Sequence, residues 1–248
     1  MSELDSSGVR IVLVEPAGPL NVGAVARIMK NMGLQHLVLV NPQCDPLSDE
    51  AQLMAVHALD ILEAAQQVAT LPEALLGCKR AIATTARVRS LATQLEDPRT
   101  TLPWLLEEPE TAALIFGPEY RGLSNEELTY AQRFVCISSS PNYPSLNLAQ
   151  AVAICCYELY QCSQMAPSYN TIPATSDKAS LDVMEGYYHQ LEDILLKIGY
   201  LYPHTSASRM QKFRQIFNRA QLESTEVAML RGILTQIEWA LSKSTDVS

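Results

Sequence analysis

The chain has 248 residues, 48% hydrophobic and 18% charged, with a formal net charge of −9. This composition can build a substantial core and is too weakly charged for a disordered chain; its acidity argues against an unspecific nucleic-acid binder. No apolar run reaches the length of a membrane span, and the acidic start Met1-Ser2-Glu3-Leu4-Asp5 is unlike a signal peptide.

The first 165 residues alternate strand and helix patterns. Arg10 to Val14 is a β-branched run stopped by Pro16. Val22 to Met32 has helical spacing closed by Gly33, and Asn21 is a candidate cap. His36 to Val40 is a second strand, ended by Asn41-Pro42. Helical patterns follow over residues 51–68 and 72–76. Arg80 to Thr84 and Ala112 to Phe116 read as strands. Ser124-Asn125-Glu126-Glu127 is a capping box opening a short helix. Phe134 to Ile137 is a fifth strand, and a small-residue helix spans Leu146 to Tyr160. Apolar runs with little alternation, separated by helices, predict an α/β fold: a parallel sheet covered by helices on both faces.

A Pro-, Ser- and Thr-rich linker over residues 166–180 separates this first domain, residues 1–165, from a helical extension, residues 181–248. Three apolar stripes mark its helices: Leu181, Met184, Tyr188, Leu191, Leu195 and Ile198; then Met210, Phe213 and Phe217; then Val227, Leu230, Leu234, Ile237 and Leu241. Ser224 is a candidate cap of the third.

Three polar loops follow apolar strands. The first is Glu15 to Arg27, with Gly18, Asn21 and Gly23. It has neither a P-loop Lys-Ser/Thr nor a full Gly-x-Gly-x-x-Gly, so a dinucleotide oxidoreductase is disfavoured. The second is Phe116-Gly117-Pro118-Glu119-Tyr120-Arg121-Gly122-Leu123, where two glycines bracket an acid and offer bare backbone to a ligand. The third is Ser138 to Ala151, whose Ser145 and Asn147 flank a helix start able to receive an anion or polar ligand. Each alone also reads as a turn and a cap.

Charge is unevenly spread. Residues 1–165 hold 10 basic and 18 acidic side chains, while residues 166–248 hold 8 and 9. Arg209, Lys212, Arg214 and Arg219 form an acid-free run, and Lys79, Arg80, Arg87, Arg89 and Arg99 a second basic region. Either could meet phosphates or form a solvated face. Six cysteines without Cys-x-x-Cys spacing suit reduced thiols in a cytoplasm, and the four histidines show no ligand or triad spacing, so no metal is expected.

Jointly, Asn21-x-Gly23-x-x-x-Arg27, Phe116-Gly117-x-Glu119-x-x-Gly122-Leu123 and Ser145-Leu146-Asn147-Leu148-Ala149 resemble the SpoU-type branch of the SPOUT RNA methyltransferase superfamily over Val9 to about Tyr160. The runs Leu191 to Leu195, Phe213 to Ala220 and Met229 to Leu234 are similar to the tail of bacterial tRNA 2′-O-methyltransferases acting on nucleotide 32. The resemblance implies a C-terminal trefoil knot in the α/β domain, a cytoplasmic homodimer, tRNA as partner, and S-adenosylmethionine as donor. The donor would be held by Thr84, Thr85, Ala86, Gly117, Gly122, Ile137, Pro144, Ser145, Leu146 and Asn147. Arg27 would act at the ribose hydroxyl, helped by Asn21, Glu119, Ser145 and Asn147. Arg27, Arg87, Arg89, Arg209, Lys212, Arg214 and Arg219 would contact RNA. Methylation of ribosomal RNA and a non-catalytic RNA-binding scaffold stay open beside it.

Overall fold

The computed structural model describes residues 8–86, 95–107, 111–165 and 177–245. Residues up to 174 and from 175 onward form two compact units.

In the first unit β1 (Val9–Val14) leads to α1 (Pro19–Asn31), β2 (His36–Val40), α2 (Asp49–Ala55), α3 (Leu59–Glu63) and β3 (Gln66–Val68). Then come α4 (Leu71–Ala74), β4 (Arg80–Thr84), β5 (Leu95–Glu96), α5 (Pro98–Thr101) and a 3-10 turn, Leu102–Leu106. β6 (Ala112–Phe116), α6 (Asn125–Leu128), β7 (Arg133–Val135) and α7 (Leu148–Met165) complete it. The sheet order is β3-β2-β1-β6-β4-β7-β5, and every pairing is parallel. Alternate residues of the central strands, Ile11 and Leu13 as well as Val12 and Val14, are all buried, so both faces are covered, as unalternating apolar runs require.

Because the sheet is parallel, the loops after β1, β4, β6 and β7 emerge at one edge. α1 packs against both α2 and α7. A Cβ on Gly23 would fall 2.1 Å from the Ala51 carbonyl oxygen, so α1 and α2 meet at backbone contact. The glycine therefore serves helix packing.

Several expected elements differ. The helical pattern over 51–68 is broken at Val56, whose φ of 55° ends α2, and its last residues form β3, paired with β2 through Val68↔Val40. β5, two residues long, was not legible as a strand. The expected Phe134 to Ile137 strand runs Arg133–Val135. α1 starts earlier than expected because Pro19 occupies its first turn, with Gly18 in the capping position; Asn21 is thereby inside the helix and does not cap it. α7 starts at Leu148 and not Leu146, because the Asn147 carboxamide oxygen accepts from the Ala149 amide at 2.9 Å. The capping box at Ser124 is present, and all six cysteines are free.

The second unit holds α8 (Leu181–Lys197), α9 (Ser206–Ala220) and α10 (Ser224–Thr245). Its core gathers Met184, Tyr187, Tyr188, Leu191, Ile194, Leu201, Met210, Val227 and Leu234. Tyr187 meets Phe217 edge-on at 5.2 Å, and the Tyr188 hydroxyl donates to Asn218 at 2.9 Å. Ser224 is the first residue of α10 and so lies within the helix. The linker expected over 166–180 falls mostly outside the described residues.

Gly23→Ala is expected to lower the stability of the first unit by about 1–3 kcal/mol, because the new methyl group strikes backbone that cannot repack. Equilibrium denaturation of the variant against the parent measures this.

Candidate active site

Three loops at one edge of the sheet are tied by a continuous hydrogen-bond chain. The Asn147 carboxamide donates to the Asn21 oxygen at 3.0 Å, and the Asn21 carboxamide donates to Glu119 Oε1 at 2.7 Å. Glu119 also accepts from the Ala17 and Gly18 amides at 3.2 and 3.3 Å. Asn147 in turn holds the first turn of α7. One side chain from each motif is thus satisfied by the next.

A second carboxylate laces the same loops in the opposite sense. Glu15, at the end of β1 with φ 47°, accepts from the Tyr120 hydroxyl at 2.9 Å and from Arg121 at 2.8 Å. Arg121 makes a bidentate pair with Glu127 at 2.8 and 2.9 Å, and Glu127 closes the capping box on Ser124. Hydrogen bonds from Arg121 and Tyr120 hold the Glu15 carboxyl below the usual range. Burial opposes ionisation of Glu127, but the bonds from Arg121 and the Ser124 amide outweigh it, and its pKa is also lowered. So the loop after β1 grips the loop after β6 through Glu15, and is gripped by it through Glu119. Sequence reasoning missed Glu15 and Arg121; the available signal was an acid at a strand's carboxyl end and an arginine beside the motif acid.

Beside these bonds opens a cavity of about 460 Å³. It is lined by Thr84, Thr85, Ala86, Gly117, Glu119, Gly122, Ile137, Pro144, Ser145 and Leu146, with Phe116, Leu123, Val135, Leu148 and Ala151 adding apolar walls and Pro118, Tyr120 and Arg121 completing the rim. The Thr84 hydroxyl is engaged by the Ile115 carbonyl at 3.0 Å, so it ties β4 to β6. A Cβ on Gly117 would lie 2.3 Å from the Leu123 nitrogen, and Gly122 has φ 66°. These two glycines are therefore required by the loop's own fold as well as leaving backbone bare.

Three expected site residues, Asn21, Asn147 and Arg27, lie apart from the cavity wall. Asn147 faces Asn21 and does not line it. Arg27 is exposed on α1 and makes no hydrogen bond or ion pair among the described residues; in particular neither Asn21 nor Glu119 holds it.

A family model described as the SpoU rRNA Methylase family matches residues 8–157, and one described as the tRNA methyltransferase TrmJ C-terminal domain matches residues 182–246. The chain belongs to the SpoU methylase family. It is 41% identical over 241 residues to the tRNA (cytidine/uridine/adenosine-2′-O-)-methyltransferase TrmJ of Pseudomonas aeruginosa, covering 93% of each chain. It is 42% identical over 235 residues to the tRNA (cytidine/uridine-2′-O-)-methyltransferase TrmJ of Salmonella typhimurium, covering 93% of this chain and 96% of that one. The crystal structure of TrmJ from Z. mobilis ZM4 superposes with a TM-score of 0.82 at 29% identity, covering 92% of this chain and 98% of that one.

Within this SpoU-family chain the expected RNA contacts divide. Arg209, Lys212 and Arg219 are exposed on α9. Arg214 is not available as expected: it pairs with Glu185, one bond being 2.6 Å, and its guanidinium lies 4.5 Å over the Tyr188 ring. In the second basic region Arg80 is buried, donating to the Trp104 carbonyl and lying over that ring, and Arg99 pairs with Glu158 at 3.0 Å. Arg87 and Arg89 lie outside the described residues. Among the described residues no cluster of three metal-ligand side chains occurs, and no helix is long and apolar enough to cross a membrane.

Two outcomes follow from this geometry. Arg214→Ala should lower the unfolding midpoint of the helical unit by leaving Glu185 without its main cation, read by the loss of helical circular dichroism on heating. Glu15→Gln should destabilise the protein near neutral pH. Since the folded pKa of Glu15 is lowered, its stabilisation is complete above its ordinary value of 4.5 and is lost as pH falls through the folded value. The stability gap between parent and variant, measured by denaturation at pH 7 and again in the acid range, should therefore close on acidification.

Proposed function

We propose that this chain methylates a ribose 2′-hydroxyl of tRNA with S-adenosylmethionine as donor, at nucleotide 32 of the anticodon loop, in the cytoplasm. The observation that carries this reading is the hydrogen-bond chain Asn147–Asn21–Glu119 beside a cavity of about 460 Å³. A volume of that size suits a nucleoside-sized ligand. Ile137 and Leu146 offer apolar faces for an adenine, while the backbone of 84–86 and 117–122 can read its polar edge. The named activity of the TrmJ relatives supports the same reading.

The donor, when bound, supplies a methyl group already activated on a sulfonium, so no metal is needed. What the protein must do is align the acceptor hydroxyl and help it lose its proton. Asn21, Glu119 and Asn147 fix the relative placement of the loops after β1, β6 and β7. Ser145, exposed on the cavity rim, is placed to bind donor or nucleotide. A guanidinium has five N–H donors and no acceptor, so Arg27 is not a general base. It holds the phosphate beside the target ribose and stabilises the alkoxide that develops there as the hydroxyl proton passes to solvent water.

The protein acts as a homodimer. Leu20 on α1 and Ile154, Tyr157 and Tyr160 on α7 are exposed apolar side chains on two helices that pack together. A partner docked there would bring a site to Arg27, which makes no hydrogen bond or ion pair among the described residues of its own subunit. The loops after β6 and β7 form a trefoil knot; β7 lies beyond β4 from β6, and the chain then returns to pack α7 on α1, which supports the threading.

The test is transfer of labelled methyl to unmodified tRNA transcripts, mapped by mass spectrometry. A 2′-O-methyl mark at nucleotide 32, absent from a 2′-deoxy control, is expected. A mark at another position would discard nucleotide 32, and transfer to ribosomal RNA alone would discard tRNA. Arg27→Lys should reduce turnover by about 10²-fold with donor binding retained, because a point charge replaces a bidentate fork; near-parental turnover would remove the role assigned to Arg27.

A further inference from the structure

Exposed aromatic rings gather at one end of the helical unit. α8 and α10 run side by side in the same direction: Arg231 bonds Gln190, Gln190 bonds Thr235, and Lys197 bonds Glu238, contacts that advance together along both helices. The end of α8 therefore meets α10 at Glu238, and the turn from Ile198 to Thr205 leaves from that same end. On this turn Tyr200 and Tyr202 are 52% and 55% exposed, and one residue past Glu238 Trp239 is 55% exposed.

Cations lie over two of these rings. The Arg209 guanidinium is 5.5 Å from the Tyr200 ring centre, and Lys243 Nζ is 4.1 Å from that of Trp239. Tyr202 stacks on His204 at 5.9 Å with 24° between planes. Lys212 is exposed one turn after Arg209 on α9. Of the acids at this end, Glu238 is held by Lys197, which also lies near Asp193. Tyr200 meets the Phe213 ring at 6.5 Å, yet about half of its surface, like that of Tyr202 and Trp239, stays in water, which costs apolar hydration. Rings with cations over them match an anionic polymer that carries flat π faces, because bases stack on aromatics while phosphates meet the cations. An apolar protein partner would strand those cations.

We propose that this end of the helical unit is a stacking platform for unpaired RNA bases, with Tyr200, Tyr202 and Trp239 as ring faces and Arg209, Lys212 and Lys243 as phosphate contacts. This rests on the reading of the chain as an RNA-modifying enzyme, and adds base contact to what the sequence offered as a purely electrostatic grip. The ring contribution and the charge contribution separate by salt dependence: removing rings weakens binding at every salt concentration, whereas removing cations flattens the salt slope.

The experiment uses the full-length protein and a tRNA transcript with 2-aminopurine in the anticodon loop. Tyr200→Ala with Tyr202→Ala should bind at least about tenfold more weakly, with the salt slope unchanged and quenching of 2-aminopurine reduced. Tyr200→Phe with Tyr202→Phe should keep both affinity and quenching, which separates stacking from hydroxyl hydrogen bonding, and an unchanged helical circular dichroism melt of the double alanine variant separates it from a folding defect. Arg209→Ala with Lys212→Ala should reduce the slope. Unchanged affinity and quenching in the double alanine variant, while the parent still methylates tRNA, would overturn the platform and leave the proposed reaction standing. A double alanine variant that loses self-association in sedimentation but binds RNA normally would overturn it too, and identify a protein contact. A parent protein that quenches the probe but methylates no RNA would instead overturn the reaction and keep the platform.

Discussion

Glu119 accepts hydrogen bonds from Ala17, Gly18 and Asn21, and Asn21 accepts one from Asn147, whose own oxygen starts α7. This hydrogen-bond chain joins the loops after β1, β6 and β7 to one another. It spans residues more than a hundred positions apart, so it can form only when β1, β6 and β7 are already in register. Each carboxamide in it both donates and accepts, which fixes the orientation of the Asn21 and Asn147 side chains. The Glu15–Arg121–Glu127 set reinforces it from the other loop, so each loop is both anchor and anchored. The glycines at 117 and 122 are the steric side of the same constraint, because the loop turns back on its own backbone.

Much of the architecture was legible. Strongly apolar runs such as Val9–Val14 and Ala112–Phe116 declare buried parallel strands, and helical stripes declare the tail. What was not legible depends on pairing across the sheet. Gln66-Gln67-Val68 is a strand because Val40 and its neighbours offer an edge, and its glutamines carry no apolar signal. Leu95-Glu96 is too short to announce itself. At the site, the motif residues that line the cavity were placed by their loops. The separate duties of Asn21 and Asn147 were not, since a cap and a cross-loop donor look the same in sequence.

The arginines show the same limit differently. Arg214 follows Met210 by four positions and precedes Phe217 by three, so it sits on the apolar stripe of α9 and turns toward Glu185 and Tyr188. That spacing was readable but the acid-free run masked it. Arg80 is hidden by a ring contributed from Trp104, which no local pattern signals. A basic segment is thus a statement about composition, and only the helix face or the sheet partner decides which cations reach a polyanion.

The order of strands has a consequence for synthesis. The cavity takes its walls from residues 84–86, then 116–123, then 135–151, in chain order, and the middle and last of these attach to strands on opposite sides of β4. A chain growing on the ribosome has no closed cavity until residue 151 has left the exit tunnel, and by then the sheet around β1 and β2 has long been available to fold. A nascent or truncated chain lacking α7 therefore has the sheet and most of the lining, but a pocket left open where Leu148 and Ala151 would stand.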